Sequence, residues 1–190
     1  MAENKVVYGL KNCHYAVITE GEDGAHTYGT PIAIKGATEI SLDPKGESSD
    51  FYADDVLYYT TVSNAGYEAT LTVANISQDF RVDVLGEELI ATDNVLSEST
   101  LQENKRIAFM FEFDGDVKAV RHCLYNVTVT RPSLTSATKT ETAEPQPQEL
   151  TMVAAPRPTD GIVKRSTTGT TPAPIYDAWY QSVYNATPIV

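Results

Sequence analysis

The sequence predicts a mainly β protein, a β-sandwich or barrel-like fold with one short flanking helix and extended arms at both termini. Three observations predict it. Runs of β-branched and aromatic residues with period-two character recur up to Arg131. Asp114-Gly115-Asp116 places turn chemistry between two of those runs. Only one stretch of the chain carries a clear helical spacing of apolar residues.

The first strand is expected over Cys13 to Thr19, which alternates loosely, and the second over Gly36 to Leu42, where Ile40 and Leu42 share a face. Val56 to Ser63 is dense in β-branched and aromatic residues, as a half-buried strand should be, and Asn64-Ala65-Gly66 reads as a turn into Tyr67 to Ala74. Between 75 and 86 the pattern changes, because Ile76, Phe80 and Val84 recur every fourth residue. Asn75 lies three residues before Gln78 like a capping box, and Gly86 can close the helix in a left-handed conformation. Ile107 to Phe113 is almost continuously apolar and suits a strand covered on both faces; the Asp-Gly turn then returns the chain through Lys118 to Thr130.

Composition shifts at Arg131-Pro132. The first part holds 21 acids and 10 bases, the second 5 acids and 4 bases with eight of the ten prolines. Proline removes a ladder donor, so the second part is expected as edge strands, turns and extended arms rather than packed interior. It keeps apolar anchors at Leu150 to Val153, Gly161 to Val163 and Tyr176 to Tyr180, with a short helix or turn near Tyr176 to Tyr184. The expected organisation is therefore a single unit over 1–190, with an arm over 1–8, an inter-subunit loop over 43–50 and a Pro/Thr-rich extension over 132–190.

The net charge of −12 argues against gripping a phosphate backbone, which takes clustered Lys and Arg. The N-terminus has no basic region followed by an apolar one, and no window approaches the length of a membrane span, so cytoplasmic synthesis is expected. Cys13-His14 and His122-Cys123 have the residue types of a zinc site, but neighbours on a strand point to opposite faces, so neither dipeptide can send both side chains to one metal. Residues 20–24 and 114–116 are acidic turns without the spacing of a calcium loop. Catalytic and phosphate-binding motifs are missing, and neither an enzyme activity, a metal nor a cofactor is expected. Tyrosines cluster instead: Tyr52, Tyr58, Tyr59 and Tyr67 in one region, and Tyr176, Tyr180 and Tyr184 around Trp179 near the C-terminus. For the first group the competing readings are core packing and an interface. A proline-rich tail carrying Trp and Tyr is a ready anchor for a neighbour. The interface candidates are Tyr8, Asp43, Lys45, Tyr58, Tyr59, Tyr176, Trp179, Tyr180 and Tyr184.

An ordered series of segments resembles the major tail protein, the tail-tube subunit, of long-tailed, siphovirus-type bacteriophages. It runs from Tyr8-Gly9-Leu10-Lys11-Asn12 and His14-Tyr15-Ala16 through Gly36-Ala37 and Ile40-Ser41-Leu42 to Phe51-Tyr52-Ala53-Asp54-Asp55 with Tyr58-Tyr59. It continues with Asn64-Ala65-Gly66-Tyr67, Leu85-Gly86-Glu87, Phe109 to Asp116 with Arg121, Arg131-Pro132, and Trp179-Tyr180 to Val183-Tyr184. Ala69, where the family pattern has glycine, Cys13 and the stretch 167–174 depart from it. The resemblance implies a virion structural protein that self-assembles into stacked, hexameric rings around a channel for DNA ejection. Its partners would be copies of itself, a tape measure and a terminator, with DNA passing unbound, and it would be assembled in the host bacterial cytoplasm. Six copies carry a net charge of −72, and an acidic bore repels phosphate over a screening length of about 8–10 Å. Tail terminators, baseplate pieces and adhesin-like binding modules remain alternative readings.

Overall fold

The computed structural model describes residues 4–21, 24–138 and 145–186. In chain order the strands and helices are β1 (Val7–Glu20), β2 (His26–Tyr28), β3 (Ile32–Ala33), β4 (Ala37–Lys45), β5 (Ser48–Ala53), β6 (Val56–Val62), β7 (Gly66–Val73), α1 (Gln78–Asp83), β8 (Glu88–Ile90), β9 (Val95–Ser97), β10 (Ile107–Gly115), β11 (Val120–Val129), β12 (Gln148–Ala154), β13 (Lys164–Ser166) and α2 (Ala173–Asp177). The fold is mainly β. One antiparallel sheet runs β2-β1-β10-β11-β12-β7-β4, with β3 on β1 and β13 on β11, and two hairpins, β5–β6 and β8–β9, stand apart from it.

The sheet curls so that its ends, β4 and the first half of β1, face each other across a groove of about 360 Å³ lined by Val7, Tyr8, Leu10, Thr38, Ile40 and Phe113. Inside the curl lies the core, where Tyr15, Leu71, Val73, Ile107, Phe109, Phe111, Leu124, Val127, Leu150 and Met152 are buried. Helix α1 closes this core with Phe80, flanked by Ile76 and Val84, the stripe that the fourfold spacing predicts. Ser77, rather than Asn75, caps the helix: its hydroxyl accepts from Phe80 N–H. Gly86 does take the left-handed conformation, with φ 75.

Several boundaries differ from the sequence reading. Strand β1 begins at Val7, not Cys13, so the expected 1–8 arm contributes two residues to the sheet, and residues 1–3 lie outside the described set. Two register shifts hide this half of the strand from a period-two reading, and Gly9 (φ 65) and Asn12 (φ 51) sit at them. The Asp-Gly turn is displaced, because β10 runs through Gly115, which is not left-handed, and the bend follows at 116–119. Gly115 instead leaves room for the Asn4 side chain. A Cβ there would lie 2.1 Å from Nδ2 of Asn4, and Asn4 pins the bend by accepting from the Val117 and Lys118 amides and donating to the Lys118 carbonyl.

The largest correction concerns the proline-rich second part. β12 is no edge or arm: it sits between β7 and β11, because the proline-free stretch Gln148 to Ala154 alternates Leu150, Met152 and Ala154 into the core. The expected loop over 43–50 is likewise not a loop. β4 continues to Lys45 through Pro44, β5 starts at Ser48, and only 46–47 lie between them. Hydrogen bonds from Ala65 N–H to Lys45 and from Ser63 N–H to Glu47 carry the ladder across that gap. Residues 37–73 thus form one long antiparallel ribbon that bends at 46–47 and 63–65, instead of turning back at Asn64-Ala65-Gly66.

Gly66 lies at the bend with φ 106, and a Cβ there would come within 1.9 Å of the Ala154 carbonyl oxygen. Gly66→Ala is expected to cost roughly 3–5 kcal/mol and to lower the melting temperature by about 10 °C, measured by circular dichroism.

The strand dipeptides split as alternation requires. Cys13 belongs to the core while His14 stacks on Tyr180 outside it at 4.7 Å; His122 stacks on Phe111 at 5.0 Å while Cys123 points to the outer face. Burial pushes the His122 imidazole down to about 4, and Lys164 adds to the shift. The unfolded chain titrates this group near its ordinary value of about 6.5, so on acidification it takes up the proton first. Stability is expected to fall by roughly 1–2 kcal/mol between pH 6.5 and pH 4, allowing for the ring's partial exposure. In His122→Phe, denaturant melts over this range should lose that component and keep a smaller slope from His26, which burial also holds low.

Candidate functional site

Both outer faces of the curled sheet can be followed residue by residue, and they differ. On β1, β10 and β11 the outer face is apolar, with Ala16, Ala108, Met110, Cys123 and Tyr125 buried beneath the C-terminal segment. Trp179 is 3% exposed there, and Ile175, Tyr180, Val183 and Tyr184 pack beside it. Three of the C-terminal candidates are held by polar contacts to the same chain. Arg121 lies over the Tyr176 ring at 3.7 Å, donates to the Tyr176 carbonyl, and pairs with the buried carboxylate of Glu112 at 2.8 Å. Glu112 also accepts from Asn12 at 3.0 Å and lies 3.5 Å from the Tyr180 hydroxyl. The Tyr176 hydroxyl donates to Ala119, the Tyr125 hydroxyl to the Tyr184 carbonyl, and Arg157 binds Asp160 and Asn185. Helix α2 starts behind Pro172 and ends at Asp177, so it overlaps the beginning of the stretch where a short helix or turn is expected, and 178–181 continue as turns. The clamp residues Arg121, Glu112 and Arg157 carry no spacing signal in the sequence, because they meet across separations of up to 68 residues.

The opposite outer face, on β4, β7 and β12, is bare among the described residues and polar. Register places Glu39 beside Thr72 and Glu149, Ser41 beside Thr70 and Thr151, and Asp43 beside Glu68 and Val153. Four carboxylates thus occupy two of these rows, and hydroxyls fill the row between them. Lys45 is the one base at these outward positions, 3.3 Å from Glu68. Asp43 and Lys45 are exposed here. One edge of β4 has no strand partner among the described residues. Alternation in YEATLTVA and QELTMVA separates Glu68, Thr70, Thr72, Glu149 and Thr151 from the apolar positions, so the polarity of these positions, though not their shared open face, is carried by local pattern.

Beyond the bend, the distal half of the ribbon leaves the body. In β5–β6, Phe51, Tyr52, Val56, Leu57, Tyr58, Tyr59 and Val62 are each more than half exposed, with Tyr58 at 73%. Both faces of the hairpin are therefore open, which overturns core packing for Tyr52, Tyr58 and Tyr59; Tyr67, at the ribbon's root, does pack against the core. Asp54 and Asp55 form the tip with φ 50 and φ 60, the paired left-handed conformation of a tight hairpin turn. A free two-stranded hairpin is marginal in water, and monomers rarely leave so large an apolar surface uncovered. Tyr8 is also exposed, on the rim of the groove between β1 and β4.

Among the described residues no group of three or more His, Cys, Asp or Glu side chains is placed to hold a metal, and no helix is long and apolar enough to cross a membrane. Of the acidic turns, residues 22–23 lie outside the described set, while Asp114 and Asp116 are engaged with Lys11 and the Lys5 amide.

Comparison with known proteins gives three results. The model of the phage tail tube protein family matches residues 2–185. No curated protein matches the chain in sequence. Solved structures similar to it include the tube-terminating cap of the anti-feeding prophage, at 12% identity and a TM-score of 0.49 over 88% of this chain and 96% of that one. With nearly its whole length matched, the chain belongs to the phage tail tube proteins, structural components of the phage tail.

Proposed function

We propose that the chain acts as a single unit that builds hexameric rings, that the rings stack into a tube, and that the β4–β7–β12 face lines the bore through which DNA leaves during ejection. The observation that carries this reading is the ribbon 37–73: its root presents an acidic, hydroxyl-rich face with an open edge, and its distal half presents uncovered aromatic surface. Pairing the β4 edge with a neighbour removes an aggregation-prone edge and closes a barrel. The hairpin then buries Tyr58 and Tyr59 on another copy. Obligate interfaces bury about 2,000 Å² or more, a scale that offsets the ordering of such an extension. Tyr8, on the open groove, and Lys45, at the end of β4, belong to the lateral contact, while Asp43 lies beside Glu68 on the bore face. Tyr176, Trp179, Tyr180 and Tyr184 serve it by fixing the outer face. A tape measure and a terminator would complete the tail, assembled in the host bacterial cytoplasm.

Negative-stain microscopy of the purified chain tests the reading. Rings or tubes at high protein concentration are the expected result. Strict monomers under those conditions, together with a single ring's worth of copies in purified virions, would overturn it in favour of a terminator or baseplate role.

A further inference from the structure

At the end of the β4–β7 pair away from the hairpin, a pocket of about 460 Å³ opens between β3 and α1. Ile32, Ala33, Ile34 and Ala74 give it apolar walls that solvent reaches, over a floor of Ile76 and Phe80. Ile32 is 40% exposed there. The volume lies within the about 300–1,000 Å³ of pockets that take a drug-sized group. Lys35 and Asp79 bring one charge of each sign to it, so the lining favours neither an anion nor a cation. An apolar occupant suits it best, because covering such walls removes them from water.

Its place in the fold narrows the occupant. The β5–β6 hairpin begins beyond the paired Lys45 and Gly66, whereas the pocket flanks Gly36 and Val73, beside the Ala37–Val73 pair. The two features therefore occupy opposite ends of the same two strands. The hairpin carries the matching chemistry, since Phe51, Leu57 and Tyr58 are each more than half exposed. A head-to-tail contact between two such patches leaves one of each kind free for a further copy, so it repeats without limit. Strands of a closed barrel tilt by about 35–45° from its axis, so a copy displaced along β4 and β7 leaves the plane of a ring. Asp54 and Asp55 at the tip oppose the exposed Lys35 in sign. Asp79 offsets part of that match, and the apolar fit decides.

We infer that the β3–α1 pocket receives the β5–β6 hairpin of a second copy, in the adjacent ring. Placement between rings rests on the tube reading; the docking itself does not. Two variants test it by mixing. Ile32→Glu puts a charge on the pocket wall and keeps the hairpin intact. Tyr58→Ser with Tyr59→Ser keeps the pocket and removes the hairpin's aromatic side chains. Ile32→Glu should raise the concentration needed for stacking by at least about tenfold, the scale of one covered Ile side chain, with little change in melting. Each variant alone should sediment as single rings. Mixed, they should add one species of twice that mass and nothing longer, because a pair joined by one hairpin–pocket junction has no second junction to offer. Ala33→Arg, at an exposed position of the same wall, replaces Ile32→Glu if that variant melts early. A mixed species of two single chains instead of two rings would uphold the docking and overturn its placement between rings. The inference is overturned if Ile32→Glu and Ala33→Arg both stack like the wild type, or if the mixture only superposes the two separate profiles.

Discussion

Replacing Tyr58 and Tyr59 together with serine is expected to leave a folded chain that no longer forms tubes. Both side chains are more than 60% exposed, on a hairpin that adds nothing to either buried cluster. Monomer melting should therefore move by less than about 0.5 kcal/mol, as for substitutions away from packed features. Within an interface the same rings are the residue type that dominates binding, at about 2 kcal/mol or more each. Losing two should raise the concentration needed for assembly about a thousandfold. Sedimentation of the variant across a concentration series checks this. Assembly at the wild-type concentration would mean that the hairpin covers nothing. Assembly lost together with the fold would move Tyr58 and Tyr59 from the interface to structure.

The hairpin also shows where sequence reading stops. VLYYTTV has the composition of a buried strand, and nothing local distinguishes a strand covered by its own domain from one that is not covered. That difference belongs to the ribbon's length: β4–β7 is rooted in the sheet while β5–β6 has no strand partner beyond its own pair among the described residues. The cover on strand β10, by contrast, was legible, though its end at Gly115 was not. Its unbroken IAFMFEF run predicts cover on both faces, and Phe109 and Phe111 lie in the core while Ala108 and Met110 lie under Trp179. Helix α1 was legible from Ile76, Phe80 and Val84, its cap less so, since Asn75 and Ser77 are both acceptable caps and only the backbone chooses. β12 was obscured by the prolines around it. Composition over a long window hid a short alternating stretch whose partner strand β7 lies some 80 residues back. The acidic face was half legible: alternation separates Glu39, Glu68 and Glu149 from the core, but which outer face stays open depends on where Trp179 docks, a contact no local pattern encodes.

Exchanging Glu39, Asp43, Glu68 and Glu149 for lysine is the second large effect, and it turns on that open face. All four are exposed, so the fold should survive with modest loss, chiefly of the Lys45–Glu68 pair, which at this exposure contributes at most about 1 kcal/mol. The charge of one chain would change from −12 to −4, and in a six-membered ring every substituted position would recur around the bore. Repulsion acts over about 8–10 Å in physiological salt, so a bore lined by these rows holds duplex DNA off at short range without binding it. With lysines in their place the same geometry presents phosphate-binding groups in register. Variant tubes should then retain duplex DNA at 50 mM salt and release it steeply as salt rises, with each phosphate contact adding about one unit to the log–log slope. Wild-type tubes should show no retention. Phages carrying the variant should assemble tails and eject DNA slowly or incompletely, measured by the release of dye-accessible genome after triggering. If variant tubes ignore DNA as the wild type does, the Glu39–Thr72–Glu149 face does not look into the channel, and the bore must be formed by another part of the sheet.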